Sequence, residues 1–131
     1  MKKMLPILLI MTLLLTGCAA PRPAAKANTY RQITMQEAIE MMEKEENYII
    51  LDVRTHEEFA SGHIPGAMVI PNETIGTEEI AQLPHKDQLI MVYCRSGNRS
   101  KQASDKLVKL GYTNIVEFGG IIDWPGEIVT D

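Results

Sequence analysis

Two short runs of mostly apolar residues constrain the fold of this chain more than any other feature. They are Tyr48–Val53, which a single aspartate interrupts, and Leu89–Tyr93. Nearly continuous hydrophobicity, without regular alternation with polar residues, is typical of strands that are covered on both faces in a parallel sheet. Segments with helix-forming patterns lie between the strand candidates, so the chain is predicted to be an α/β protein with a mainly parallel sheet.

Shorter segments complete the predicted alternation of strands and helices. Capping-box patterns at Thr34–Glu37 and Thr55–Glu58 each predict the start of a helix. Ser100 is predicted to cap a third helix, which ends at Gly111. Further strands are predicted at Tyr30–Ile33, Ala67–Ile70 and Ile115–Phe118, and one or two helical turns at Glu78–Leu83. A length of 131 residues suits a single domain.

The first residues have the pattern of an export signal. Lys2 and Lys3 precede about a dozen apolar residues, too few to span a bilayer, and the stretch ends in Leu15-Thr16-Gly17-Cys18. This ending resembles the bacterial lipobox, so residues 1–17 are predicted to be a lipoprotein signal peptide and Cys18 the lipidated residue. An ordinary signal peptide is the alternative. Residues 18–29 are small and proline-bearing and are predicted to form a flexible tether, which leaves residues 30–131 for the domain.

These signals predict an exported lipoprotein that is anchored to a membrane and faces the periplasm or the cell exterior. Several acyl chains on Cys18 would give stable anchoring where a single chain would not. The net charge of the chain is −4, and loss of residues 1–17, which hold two lysines and no acidic residue, would lower it to −6. An acidic domain of this kind does not favour nucleic acid as a partner.

The strongest functional signal is the segment Cys94-Arg95-Ser96-Gly97-Asn98-Arg99, between a predicted strand and a predicted helix. At such a junction, backbone N–H groups and the positive end of the helix can surround an anion, and glycine permits the conformation that this requires. A cysteine beside this loop would be favoured as a thiolate or as a persulfide. Since Cys18 and Cys94 are the only cysteines, lipidation of Cys18 leaves Cys94 without a disulfide partner. The alternative is a buried structural thiol.

Four segments together resemble the rhodanese family, and the resemblance extends from about Tyr30 to the C-terminus. The loop Cys94–Ser100 is similar to the active loop of many single-domain rhodaneses. Leu51–Arg54 with Glu57–Phe59 resembles one family signature, and Gly62–Ala67 resembles another. Gly119-Gly120, followed by Trp124, resembles the C-terminal stretch of the family.

This resemblance implies a rhodanese-like three-layer fold, with a mostly parallel five-stranded sheet flanked by helices. It also implies a sulfurtransferase that needs neither a cofactor nor a metal. The Cys94 thiolate would attack the outer sulfur of thiosulfate or a similar donor, and sulfite would leave. An external thiol, a thioredoxin-like protein or cyanide would then take the sulfur from the persulfide.

The remaining loop residues receive more specific expectations. Arg95 is either the group that binds an oxyanion donor or a solvated surface residue. Ser96, Gly97 and Asn98 form the rest of the loop. Arg99 is expected to tie the loop to a neighbouring carboxylate. Asp52 and Arg54 are expected to brace the fold near the site.

Two other classes of function remain open at this level. Related folds house phosphatases and arsenate reductases, whose loop places an arginine six positions after the cysteine. Here that position is Ser100 and the arginine is Arg99, so the loop is expected to suit a sulfur atom better than a tetrahedral oxyanion. A reductase would also use a resolving cysteine. The other class is a binding module that carries persulfide to a partner without turnover.

Overall fold

The computed structural model describes residues 28–130. Along this range, the strands are β1 (Arg31–Gln32), β2 (Tyr48–Asp52), β3 (Met68–Val69), β4 (Leu89–Cys94) and β5 (Ile115–Gly120). The helices are α1 (Met35–Lys44), α2 (His56–Ser61) and α3 (Asn98–Lys109), and short 3-10 turns occupy Asn72–Thr74 and Ile121–Asp123. The predicted signal peptide and the residues before 28 lie outside the described range.

The five strands form one sheet in the order β1-β5-β4-β2-β3, and every pairing in it is parallel. The α/β class and the five-stranded sheet predicted from the sequence are therefore confirmed. Because all strands run in the same direction, their carboxyl ends meet at one edge of the sheet, which is where ligands gather in open α/β folds. Cys94 is the last residue of the central strand β4.

Alternate residues of the strands pack into two separate cores. On one face, Val92 of β4 and Ile115 of β5 pack with Leu107 of α3. On the other face, Met91 of β4 packs with Ala38 of α1. Helices therefore cover both faces of the sheet, which explains why the sequence of β2 and β4 is apolar almost without interruption.

Both predicted helix starts near the N-terminus are confirmed. Thr34 precedes α1, and its side-chain oxygen accepts the backbone N–H of Glu37 at 3.1 Å. Thr55 precedes α2, where a complete capping box is formed with Glu58. This second cap matters for function because it fixes the position of the Glu58 carboxylate at the carboxyl edge of the sheet.

The predicted helical turns at Glu78–Leu83 are wrong, since this segment has no helix and contains only a turn closed by the Leu83 N–H and the Ile80 carbonyl at 3.0 Å. An isolated helix this short is unfavourable in water, because the free energy cost of forming its first turn exceeds the gain from the few hydrogen bonds that follow. The Leu83 carbonyl instead accepts the Tyr112 hydroxyl at 2.6 Å. Within residues 28–130, no helix has the length and apolar character needed to cross a bilayer.

Candidate active site

Cys94 lies at the carboxyl end of β4 and is almost fully buried, with 1% of its surface exposed. Its Sγ accepts the backbone N–H of Gly97 at 3.0 Å. Gly97 has φ +104°, a left-handed conformation that a residue with a side chain resists. Helix α3 begins at the next residue without a side-chain cap, so the sulfur lies beside the positive end of a twelve-residue helix. This environment favours negative charge on the sulfur.

A bulge in the neighbouring strand shapes the floor of the site. Val92 pairs with Glu117, whereas Cys94, two residues later, pairs with Gly120, which is three residues later. The additional residue in β5 is accommodated by Gly119, which has φ +95°. Bulges of this type redirect the residues that follow them, and here the bulge brings Gly120 against the loop.

Gly120 allows the loop backbone to lie directly on β5. A Cβ atom at this position would be 2.0 Å from the Arg95 carbonyl oxygen and 2.5 Å from the Ser96 nitrogen, which no side chain can tolerate. The same Arg95 carbonyl accepts the backbone N–H of Ile122 at 3.2 Å. The Gly119-Gly120 pair is therefore part of the support for the loop.

Ser100 does not cap a helix, and that expectation is corrected. Asn98 begins α3 and Gly97 is its N-cap residue, so Ser100 lies inside the first turn and is completely buried. Its Oγ lies 3.4 Å from the Cys94 Sγ and donates a hydrogen bond to Oε1 of Glu117 at 2.7 Å. The Ser100 hydroxyl therefore bonds to the buried carboxylate of Glu117 on the adjacent strand β5 and does not bond to a free N–H group at the start of α3.

Arg99 pairs with a carboxylate, the contact expected for it from the sequence. Its Nη1 and Nη2 atoms contact Oε1 and Oε2 of Glu58 at 2.6 and 3.0 Å, in a two-point pair that links α3 to α2. The hydrogen bond from Arg99 is the main reason that the pKa of Glu58 falls from 4.5 to about 2. The pKa of Arg99 is raised, chiefly by Glu58 and in smaller part by the charge of Cys94.

Replacing Glu58 with glutamine tests this pair. A lowered pKa in the folded state means that the pair stabilises the fold above pH 4.5 and that this contribution is lost as the pH falls toward 2. We expect Glu58→Gln to cost up to about 1 kcal/mol at neutral pH, because the pair is partly solvated. Urea unfolding between pH 2 and 7 should show a weaker pH dependence in the variant. Glu57→Gln, at an exposed position of the same helix, is the control and should keep the dependence of the native chain.

The other loop side chains point to solvent. Arg95, Ser96 and Asn98 are exposed, and Arg95 forms no ion pair with any residue in the range 28–130. The two arginines therefore differ: the charge of Arg99 is balanced by Glu58, whereas the charge of Arg95 is free to meet an anion that approaches the loop.

Asp52 and Arg54 form a buried ion pair behind the loop. Arg54 Nη2 lies 2.6 Å from Asp52 Oδ2 and donates a second hydrogen bond to the Gly62 carbonyl at 2.7 Å. The Tyr93 hydroxyl donates to the same Asp52 oxygen at 2.8 Å and accepts the N–H of Ile64 at 3.2 Å. Burial, together with Asp52, raises the pKa of Tyr93. This network joins β2, β4 and the segment after α2, so it braces the residue that precedes Cys94.

Comparison with known proteins identifies this architecture. A family model described as "Rhodanese-like domain" matches residues 34–126, which include the loop and all of its supports. The chain belongs to the rhodanese family.

Relatives of this rhodanese carry names that refer to sulfur transfer. A sulfurtransferase from Allochromatium vinosum is 40% identical over 80 residues, which cover 60% of this chain and 73% of that protein. Thiosulfate sulfurtransferase PspE from Escherichia coli is 34% identical over 73 residues, 56% of this chain and 70% of that protein. A putative sulfur carrier protein, YrkF from Bacillus subtilis, is 30% identical over 102 residues, 77% of this chain and 54% of that protein.

A solved structure agrees with the fold. The structure titled "rhodanese with anions from E. coli" superposes with a TM-score of 0.58 and 34% identity, over 64% of this chain and 99% of that one. Family, fold and relatives together support rhodanese-type sulfur transfer for this chain.

The structure brings the predicted loop residues of this rhodanese together with three residues whose contacts in the site were not predicted. The sequence pattern gave Glu58 and Ser100 only roles at helix starts and in family signatures, and it gave Glu117 no role. A signal for Glu117 existed, because it is an acidic residue in a buried strand directly before the Gly-Gly pair. Within residues 28–130, no group of three or more His, Cys, Asp or Glu side chains is arranged to hold a metal ion.

Proposed function

We propose that this rhodanese transfers sulfane sulfur from thiosulfate, or a similar anionic donor, to an external thiol or to cyanide through a persulfide on Cys94. The observation that carries the proposal is the position of the Cys94 Sγ, 3.0 Å from the Gly97 N–H and beside the start of α3. A negative sulfur at this point is stabilised by groups that are already in place.

Each half of the reaction uses the loop in the same way. The Cys94 thiolate forms a bond to the outer sulfur of thiosulfate while the bond to the sulfite sulfur breaks, and sulfite leaves with the electron pair. The persulfide that remains keeps its negative terminal sulfur in the region of the loop amides. An acceptor thiolate then attacks that sulfur, and Cys94 leaves as a thiolate. Arg95, which is exposed and has no ion-pair partner among the described residues, is proposed to bind the oxygen atoms of the donor.

The natural acceptor is proposed to be a separate molecule. Cys94 is the sole free cysteine of the described residues, so no second thiol there can attack the persulfide. A thioredoxin-like protein or a small thiol has the required chemistry. A relative described as a putative sulfur carrier favours a second possibility, a carrier without turnover.

Hydrolysis of phosphate esters is disfavoured by the contents of the loop. The position six residues after Cys94, where phosphatases place an arginine, holds Ser100, and the Ser100 hydroxyl is bonded to the Glu117 carboxylate at 2.7 Å. Ser100 supplies neither the positive charge nor the two-point donor for phosphoryl oxygens that an arginine at this position would supply. An assay with thiosulfate and cyanide, run beside one with an aryl phosphate, tests the proposal. We expect turnover only in the first assay, and Cys94-dependent hydrolysis in the second would contradict the assignment.

We also propose that Cys18 anchors the protein to a membrane, on the outer side of the cell. The fold suits this arrangement. The Asn28 side chain donates to the Tyr112 carbonyl at 2.7 Å, beyond the end of α3, whereas Cys94 lies beyond the start of α3. A twelve-residue helix is about 18 Å long, so a chain that enters at residue 28 would hold the active loop on the side away from its attachment.

The anchoring proposal predicts a defined chemical species. The native protein should fractionate with membranes, and intact-mass measurement should show a chain that begins at Cys18 and carries acyl groups. Cys18→Ser should prevent acylation and leave the chain poorly processed, whereas the domain should fold normally and keep sulfur transfer. An unmodified chain that begins at another residue would contradict the proposal.

A further inference from the structure

Glu117 is a buried acidic residue whose position calls for an explanation. Its exposed surface is 3%, and it lies in β5 with Val92 as its register neighbour. Ile115, two residues earlier, packs in the core beneath α3, so Glu117 faces the same side of the sheet as Cys94. Among residues 28–130, Glu117 has no ion-pair partner. A buried carboxylate without a cation is costly unless hydrogen bonds satisfy its oxygen atoms.

The hydrogen bonds of Glu117 lead directly to the nucleophile. Its Oε1 accepts the Ser100 hydroxyl at 2.7 Å and the Gly119 N–H at 2.8 Å. The Ser100 oxygen in turn lies 3.4 Å from the Cys94 Sγ, within the range of an S–H···O hydrogen bond. The three residues therefore form an unbroken chain from thiol to hydroxyl to carboxylate, and all three are at least 97% buried.

The direction of the hydrogen bonds follows from the number of hydrogens. A serine hydroxyl has one hydrogen. Two acceptors lie within reach of Ser100, the Gly119 carbonyl at 3.4 Å and Glu117 Oε1 at 2.7 Å, and the shorter contact assigns the hydrogen to Glu117. The Ser100 oxygen can then accept from the Cys94 thiol but cannot donate to a Cys94 thiolate. A thiolate would gain this donor only if the hydrogen of Ser100 turned toward sulfur, and Glu117 would then need a proton of its own.

We propose that Glu117 accepts the proton of Cys94 through Ser100 and holds it while the sulfur reacts. The S–H bond of Cys94 breaks as its proton passes to the Ser100 oxygen, and the original Ser100 proton passes to Glu117 Oε1. The products are a thiolate, a neutral serine whose hydroxyl now faces sulfur, and a neutral carboxylic acid that still accepts the Gly119 N–H. The net charge is unchanged. When Cys94 is released after sulfur transfer, the two protons return by the same path.

This inference rests on the proposed function in one respect, which is that the attack on the sulfur donor requires Cys94 as a thiolate. Glu117 does not touch the donor, so it is a positioning residue that acts through Ser100. It replaces solvent as the destination of the thiol proton, which matters because Cys94 is 1% exposed.

The charged groups around the Cys94–Ser100–Glu117 hydrogen bonds do not pair with Glu117. On α3, Arg99 interacts electrostatically with Cys94, but its guanidinium is held by Glu58 of α2. Arg95 of the loop is exposed. The strands on either side of Glu117 place Gln32 and Val92 at its register positions, and neither is charged.

The pH dependence of Cys94 reactivity tests the proposal without any sulfur donor. The full chain, purified in detergent, is treated with iodoacetamide between pH 5 and 9, and alkylation of Cys94 is measured on its peptide by mass spectrometry. Because two groups share one proton, the native chain should show a two-step profile with an acid plateau over at least about one pH unit. Glu117→Gln, which keeps the shape of the side chain, and Ser100→Ala should each give a single step. At pH 5.5, each should react at least about tenfold more slowly than the native chain.

An alternative role for Glu117, repulsion of the Cys94 thiolate, predicts the opposite effect of Glu117→Gln on the rate of alkylation. If its carboxylate only repelled the thiolate, Glu117→Gln would react faster than the native chain at pH 5.5, and that result would overturn the proposal. An unchanged profile in Glu117→Gln would also overturn it. Glu43→Gln, which makes the same charge change on an exposed face of α1, should keep the two-step profile. If the native chain shows the two-step profile but forms no persulfide from thiosulfate, the proposed function fails while the proton path stands.

Discussion

Replacing Cys94 with serine is expected to lower thiosulfate-dependent sulfur transfer by at least about a thousandfold, as is usual when the nucleophile of covalent catalysis is removed. The serine hydroxyl is not ionised near neutral pH and cannot form a persulfide. The expected loss concerns the chemical step, so it should appear at every donor concentration. The assay is sulfite release from thiosulfate with cyanide as the acceptor.

The fold of the Cys94→Ser variant should be retained. The replacement is nearly the same size, and its oxygen can still accept the Gly97 N–H that now reaches sulfur. We expect the free energy of unfolding to change by about 1 kcal/mol or less. Cys18→Ser is the matched control, because it removes the other cysteine and should keep transfer activity. Full activity in Cys94→Ser would mean that another group carries the sulfur.

Among the single substitutions considered, Arg54→Ala is expected to lower the free energy of unfolding most, by about 3–5 kcal/mol. Asp52 is completely buried, and in the native chain it receives both the guanidinium and the backbone N–H of Arg54. Without the guanidinium, Asp52 would keep the Tyr93 hydroxyl as its side-chain partner, and the Gly62 carbonyl would lose the donor at 2.7 Å. The measurement is urea unfolding followed by circular dichroism.

Two further variants separate the ion pair from general effects of losing an arginine. Arg31→Ala removes an exposed arginine whose side chain contacts Asn114 at 3.3 Å, and it should cost no more than about 0.5 kcal/mol. A double variant, Asp52→Leu with Arg54→Met, should be more stable than Arg54→Ala, because it leaves no unpaired buried charge. A loss below about 1 kcal/mol in Arg54→Ala would show that the pair is not an important brace.

Features that depend on local sequence were predictable. The apolar runs indicated β2 and β4 because hydrophobic periodicity reports directly on burial. The capping box at Thr55 was visible because its residues are three positions apart. The loop at Cys94 was recognisable for the same reason: the nucleophile, Gly97 and Arg99 lie within six consecutive residues.

Features that depend on contacts between distant segments were not predictable. The partner of Arg99 is Glu58, which is 41 residues away, and the partner of Ser100 is Glu117, which is 17 residues away. Ser100 was misassigned as a helix cap because serine before a helical segment usually has that role. Because α3 begins at Asn98, Ser100 lies inside the first turn, where its hydroxyl contacts both Cys94 and Glu117.

The central claim is that Cys94 carries the transferred sulfur, and the mass of the Cys94 peptide tests it most directly. Incubation with thiosulfate should add about 32 Da, one sulfur atom, to this peptide and to no other. After removal of the donor, the added mass should persist, because the described residues hold no second thiol that could attack the persulfide. Addition of an external thiol should remove it at a rate that rises with thiol concentration and with the thiolate fraction. No mass gain at Cys94, or rapid loss of the sulfur without an acceptor, would contradict the account.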